Sequence, residues 1–150
     1  MKNRDTALSE TPATEVRKNS IGWMVKSLSA KLDKEMKKDL EPHGLNLGQF
    51  AILMTLLEKD NVTQTAIGKK VSMLSYAITR NIDVLEKNGL LERHESTISK
   101  RSLCIRLTVK GKALAPVLFS IVGNINKNTF SILDEGEEKQ FKLLLEKVLF

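Results

Sequence analysis

The chain has 150 residues, with 24 Lys and Arg against 18 Asp and Glu, and a formal net charge of +6. This length suits one domain with helical extensions and is too short for two complete domains, and 41% hydrophobic with 28% charged residues is an ordinary folded composition. The one cysteine, Cys104, excludes an intrachain disulfide framework and any multi-cysteine zinc or iron–sulfur site, and no apolar run approaches the roughly 20 residues of a membrane span.

The N-terminal stretch lacks an apolar signal core, so the expected location is the cytoplasm. The positive balance leaves an anionic partner open, and nucleic acid is the first candidate. Two histidines and one cysteine are too few soft ligands for a structural zinc site, although Asp and Glu could bind harder ions, and no metal or cofactor is expected.

Residues 1 to about 13 are polar and are expected to be frayed or disordered. Thr11-Pro12 is a helix-start pair, with Thr as cap and Pro at the first helical position. A long helical pattern then runs to about Leu40, with Ile21, Val25, Leu28, Leu32, Met36 and Leu40 at steps of three and four. Pro42 and Gly44 stop it.

Asn46 and Gln49 form a capping-box pair opening a second helix, which carries Phe50, Ile52, Leu53, Leu56 and Leu57 to about Lys59. Asp60-Asn61 is a turn, and Thr63 caps a short third helix from Gln64 to Lys70. After Val71-Ser72-Met73 a fourth helix runs to Asn88 and is closed by Gly89. Ile78, Ile82 and Leu85 form its apolar stripe, and Tyr76, Thr79, Arg80, Asp83 and Lys87 fall on the other side.

The period then changes. Leu91-Glu92-Arg93 is extended, and Leu103, Ile105 and Leu107 alternate with Cys104, Arg106 and Thr108 as in a half-buried strand. The polar stretch between them makes the pair a β-hairpin with a basic tip. Thr108 caps a fifth helix, and Pro116 inside it predicts a kink between Lys112 and Pro116. The last helix starts at Asp134 with Glu137 completing a capping box, and Phe141, Leu144, Leu145 and Val148 form its apolar face.

The fold class is therefore mostly α, with a small β-hairpin. Its central block over 46–107 is a helix-turn-helix followed by a basic wing. A helix that enters a DNA groove needs a firm apolar back and short or hydrogen-bonding residues near its N-terminal end. Ile78, Ile82 and Leu85 supply the back, and Ser75, Tyr76, Thr79 and Arg80 supply the front. Thr63 and Gln64 open the preceding helix, and Lys87 extends the polar side. Lys100 and Arg101 at the hairpin tip suit an adjacent minor groove or its phosphates. The plainer alternative is a solvated polar face, and a winged helix that docks a protein would show the same pattern.

An enzyme has little support, because no P-loop, GxGxxG, HExxH or GxSxG is present. The Asp134, Glu135, Glu137 and Glu138 cluster opens a helix, where carboxylates complement the macrodipole.

From about residue 20 to 149 the sequence resembles the multiple-antibiotic-resistance-type (MarR) transcription regulators. The stretches that carry the likeness are HGLNLGQFAIL (43–53), VTQTAIGKKV (62–71), AITRNIDVLEKNGLLER (77–93), IRLTVKGKAL (105–114) and LDEGEEKQFKLLLEKV (133–148). The resemblance implies a homodimer whose hub is built from 14–45 and 108–150, and a pseudo-palindromic operator, usually bound as a repressor. It places the recognition positions at Ser75, Tyr76, Thr79 and Arg80 and the wing-tip arginine at Arg101. Two positions depart from the family pattern. The wing reads Ser99-Lys100-Arg101 where Asp-Arg-Arg is common, and the usual polar cap of the recognition helix falls on Leu74, leaving Ser72 or Ser75 to take over.

The resemblance also implies release of DNA by a small aromatic or phenolic effector bound between hub and winged domain. Trp23, which lies off the Ile21/Val25/Leu28 stripe, is a candidate contact, with dimer packing as the alternative. Phe50 is a weaker candidate and reads as core. No cysteine stands near the first helix, where some members sense oxidants. Cys104 in the wing strand reads as a small buried thiol, and His43 as a loop or core-edge residue.

Overall fold

The computed structural model describes residues 11–95 and 103–150. Thr11 is extended, its hydroxyl accepts from the Thr14 N–H at 3.3 Å, and α1 (Pro12–Asn19) follows. The helix thus begins two residues inside the segment expected to be frayed. The single helix expected from there to Leu40 is two helices. Ser20 leaves the helical region (φ −86°, ψ 112°), and its hydroxyl accepts from the Trp23 N–H at 3.2 Å to cap α2 (Ile21–Leu40). A serine able to satisfy an orphan donor stabilises the break, and an apolar periodicity does not register it.

A 3₁₀ turn over Glu41–His43, with His43 exposed, leads to α3 (Leu47–Glu58). Its capping box is complete. The Gln49 N–H donates to Asn46 Oδ1 at 2.8 Å and the Asn46 N–H to Gln49 Oε1 at 3.1 Å. Asp60 and Asn61 turn the chain into β1 (Val62–Thr63), and Thr63 caps α4 (Gln64–Val71) by accepting from the Ala66 N–H at 3.2 Å. Helix α5 (Ser75–Lys87) ends at Gly89, whose φ of 70° is the left-handed conformation a side chain resists.

The expected hairpin is present as β2 (Leu91–Glu95) and β3 (Leu103–Leu107), paired antiparallel with Leu91 opposite Leu107 and Glu95 opposite Leu103. A third strand was not expected. β1 pairs with the far edge of β3, giving the order β1-β3-β2. Two residues are too few to show a two-residue period.

The fifth helix is also two pieces, α6 (Val109–Lys112) and α7 (Ala115–Phe130). Pro116 does not kink a helix interior. It lies in the first turn of α7, where its missing N–H would have had no partner. The last helix, α8 (Glu135–Leu149), opens on the expected Asp134–Glu137 capping box, and the Phe130 and Phe141 rings, 5.7 Å apart, join it to α7.

One core runs through α3, α4, α5, the sheet and the inner ends of α2 and α7. Leu40, Ile52, Ile67, Ile82, Ile105 and Leu118 are each fully buried in it. The flanking helices behave differently. α1 and α8 bury no residue and α2 buries only Leu40, while Ile21, Met24, Val25, Leu144, Val148 and Phe150 stay exposed. Among the described residues no helix is long and apolar enough to cross a membrane.

Candidate nucleic-acid interface

The face of α5 divides as the 3.6-residue period requires. Ile78, Ile82 and Leu85 are at most 1% exposed, whereas Ser75, Tyr76, Thr79, Arg80, Asp83 and Lys87 are all exposed. Tyr76 is 74% exposed. The capping position is held by Leu74, which offers no side-chain oxygen. Ser72 does not take over, because it ends α4 in the left-handed conformation (φ 52°).

Thr63 and Gln64 lie at the start of α4, across a cleft from Ser75 that Leu103 of β3 also borders. Gln64 Nε2 donates to Thr79 Oγ1 at 2.6 Å, and Thr79 Oγ1 donates to the Ser75 carbonyl at 3.1 Å. The two helices of the helix-turn-helix are thereby joined across their exposed side. Asn81 holds the opposite flank. Its Nδ2 donates to the Ala77 carbonyl at 2.9 Å, and its Oδ1 accepts from Asn46 Nδ2 at 3.3 Å, linking α5 to the capping box of α3. Lys87 is separate from this cluster. At 1.5 Å per residue it stands about 16 Å along the axis from Tyr76.

Two carboxylates on α5, Asp83 and Glu86, would repel a phosphate chain. Arg93 of β2 engages both with its guanidinium, and its backbone N–H donates to Glu86 Oε1 at 2.9 Å. Partial burial disfavours the Arg93 charge, but hydrogen bonds and attraction from Asp83 and Glu86 outweigh it and raise its pKa above the ordinary arginine value. Arg93 therefore docks the wing strand on the recognition helix and screens its acidic side. Arg106 pairs with Glu92 across β2 and β3. The Cys104 thiol is buried, as expected, between Thr63 and His94 in the sheet, and the neighbouring Arg93 and Arg106 are both paired with carboxylates. Lys100 and Arg101 lie outside the described residues.

Trp23 is half exposed in the first turn of α2, with the Arg17 guanidinium 5.8 Å from its ring centroid, a cation–π distance. Met24 and Ser27 border the same shallow groove. Phe50 is partly buried against the core. No group of three or more metal-ligating side chains occurs among the described residues.

The sequence reading did not find the second roles of Gln64, Asn46 and Arg93. Each carries a sufficient local role, helix opening, cap or strand residue, and its partner lies 15, 35 and up to 10 residues away.

A family model described as the MarR family matches residues 45–103, from the start of α3 to the start of β3. The HTH-type transcriptional regulator YkoM of Bacillus subtilis is 33% identical over 110 residues, which are 73% of this chain and 71% of that protein. The chain belongs to the MarR family. The likeness reaches beyond the winged block. The crystal structure of a cysteine-to-serine mutant of Escherichia coli MarR with operator DNA superposes with a TM-score of 0.79 at 25% identity, covering 94% of this MarR-family chain and all of that one. The Mycobacterium tuberculosis MarR family protein Rv2887, solved with salicylic acid, gives a TM-score of 0.73 at 28% identity, covering 86% and 96% of the two chains. The flanking helices of this MarR-family chain thus belong to the shared fold together with its helix-turn-helix and wing.

Proposed function

We propose that this MarR-family chain is a sequence-specific, double-stranded DNA-binding transcription regulator, a cytoplasmic repressor and not an enzyme. The carrying observation is the polar face of α5. Ser75, Tyr76, Thr79 and Arg80 stand exposed on a helix whose back is sealed by Ile78, Ile82 and Leu85. Short and hydrogen-bonding side chains at the N-terminal end of such a helix reach base edges in the major groove. Thr63 and Gln64 lie beside them, Lys87 meets the backbone further along, and Lys100 and Arg101 of the wing reach the neighbouring minor groove or its phosphates.

The working unit is a homodimer on a pseudo-palindromic operator. The apolar residues left exposed on α1, α2 and α8 support this, because they lack a core partner within the single chain. Two recognition helices about 34 Å apart then meet successive major grooves. A small aromatic or phenolic effector bound between hub and winged block, with Trp23 and Phe50 as contacts, lowers operator affinity by favouring another spacing. The salicylic acid held by the mycobacterial relative supports that effector class.

The test is a salt titration of the ligand-free protein on random-sequence duplex. Log affinity should fall linearly with log salt, with a slope set by the phosphates neutralised. Absence of measurable duplex binding at low salt would sink the proposal.

A further inference from the structure

We infer that Thr79 reads DNA through its methyl group, and that its preferred contact is the C5-methyl of a thymine. The inference rests on the DNA-binding reading above and specifies what one position of that face recognises.

A threonine on a recognition helix has two ways to read a base. Its hydroxyl can donate or accept, and its methyl can pack on an apolar edge. Here the hydroxyl is committed twice. Its proton goes to the Ser75 carbonyl at 3.1 Å, one helical turn back, and one of its lone pairs receives the Gln64 amide at 2.6 Å. The first bond pins the side chain in a rotamer that directs Oγ1 along its own helix. The second ties that oxygen to α4. A base acceptor such as guanine O6 or N7 would have to break the bond to Ser75 to obtain the proton. Thr79 is nonetheless exposed. With the proton committed, the side chain offers a groove partner its γ-methyl and one acceptor lone pair, and the methyl matches the thymine methyl, the apolar feature of the major groove.

The Ser75 carbonyl holds the hydroxyl proton, and the Gln64 amide occupies one lone pair and ties the oxygen to α4.

The experiment uses the full-length protein. Binding sites are selected from a random duplex library, and each thymine of the selected site is replaced singly by uracil, which lacks the C5-methyl and keeps every pairing edge. At one thymine in each half-site the replacement should weaken wild-type binding about fourfold, the worth of one buried methyl group. Thr79→Ser should bind the thymine and uracil sites alike. Thr79→Val, which keeps the methyl and lacks the hydroxyl, should still discriminate them. The inference is overturned if no thymine shows methyl sensitivity with the wild-type protein. It is equally overturned if Ser at position 79 discriminates as well as Thr, or if Val loses site preference. Binding to random duplex, which depends on phosphates, reports in the same assay that each variant is folded. If that binding is itself missing in the wild type, the regulator reading fails and this inference falls with it.

Discussion

Asp60 Oδ1 accepts a hydrogen bond from the Leu107 N–H at 2.9 Å, across 47 residues of sequence. The same oxygen accepts from the Asn61 N–H at 3.0 Å, and Oδ2 lies 3.3 Å from Lys112 Nζ. One partly buried carboxylate thus ties the turn after α3 to the end of the wing strand and to α6. It joins the winged block to the point where the chain enters the C-terminal helices.

Asp60→Ala should lower unfolding stability by about 2 kcal/mol, because it strands the Leu107 donor and removes a charged acceptor. Asp60→Asn keeps an oxygen for Leu107 and loses the Lys112 attraction, so it should fall between Ala and wild type. Urea unfolding midpoints decide this, and equal midpoints for all three proteins would refute the tie.

Gly111 is a position of close approach. A Cβ there would stand 1.9 Å from the Leu90 carbonyl oxygen and 3.2 Å from a Leu107 methyl. The first contact is with backbone and cannot be relieved by a rotamer change. Gly111→Ala should therefore cost about 3 kcal/mol or more, at the upper end of overpacking effects. A thermal midpoint within a degree of wild type would contradict that crowding.

Arg80→Ala and Arg101→Ala should differ in kind. Arg80 stands exposed beside Ser75, Tyr76 and Thr79, the positions proposed to read bases, so its loss should cost about 1–3 kcal/mol on the specific site and much less on random duplex. Arg101, assigned to the wing, should weaken binding to both duplexes and flatten the salt slope by about one unit. Paired titrations of both variants on both duplexes read the contrast. If both bind as wild type does, the groove assignment is wrong.

Dimerisation should depend on apolar residues the single chain does not bury. Ile21 and Val148, 78% and 82% exposed, support no core of their own. Ile21→Asp combined with Val148→Asp should shift the sedimenting mass at micromolar concentration toward the monomer, with the helical circular dichroism of the winged block retained. The same variant should lose most operator affinity, since one half-site holds about half of the contacts. A mass unchanged from wild type would place the hub interface elsewhere.

Much of the scaffold was legible residue by residue. The Asn46–Gln49 and Asp134–Glu137 boxes, the Thr63 and Thr108 caps and the Gly89 stop all act within four residues of sequence, where spacing alone selects the geometry. The faces of α5 were legible for the same reason, since Ile78, Ile82 and Leu85 recur on one helical stripe. Local signals failed where two solutions were locally equivalent. Ser20 can continue a helix or cap a new one, and Pro116 can kink a helix or start one. Packing of the flanking segments chooses between them.

Which segments coil, which alternate, and which side of α5 turns to solvent follow from neighbours no more than four positions away, and local spacing is enough to specify them. Tertiary structure alone decided what the polar side chains do to each other. Only folding brings Gln64 onto Thr79, Asn46 onto Asn81, Arg93 onto Asp83 and Glu86, and Asp60 onto Leu107. The net charge of +6 is a sum over the chain and cannot say which cations are spent on internal carboxylates. The fold divides them, with Arg93 and Arg106 bound to acidic partners and Arg80 left on the face of α5.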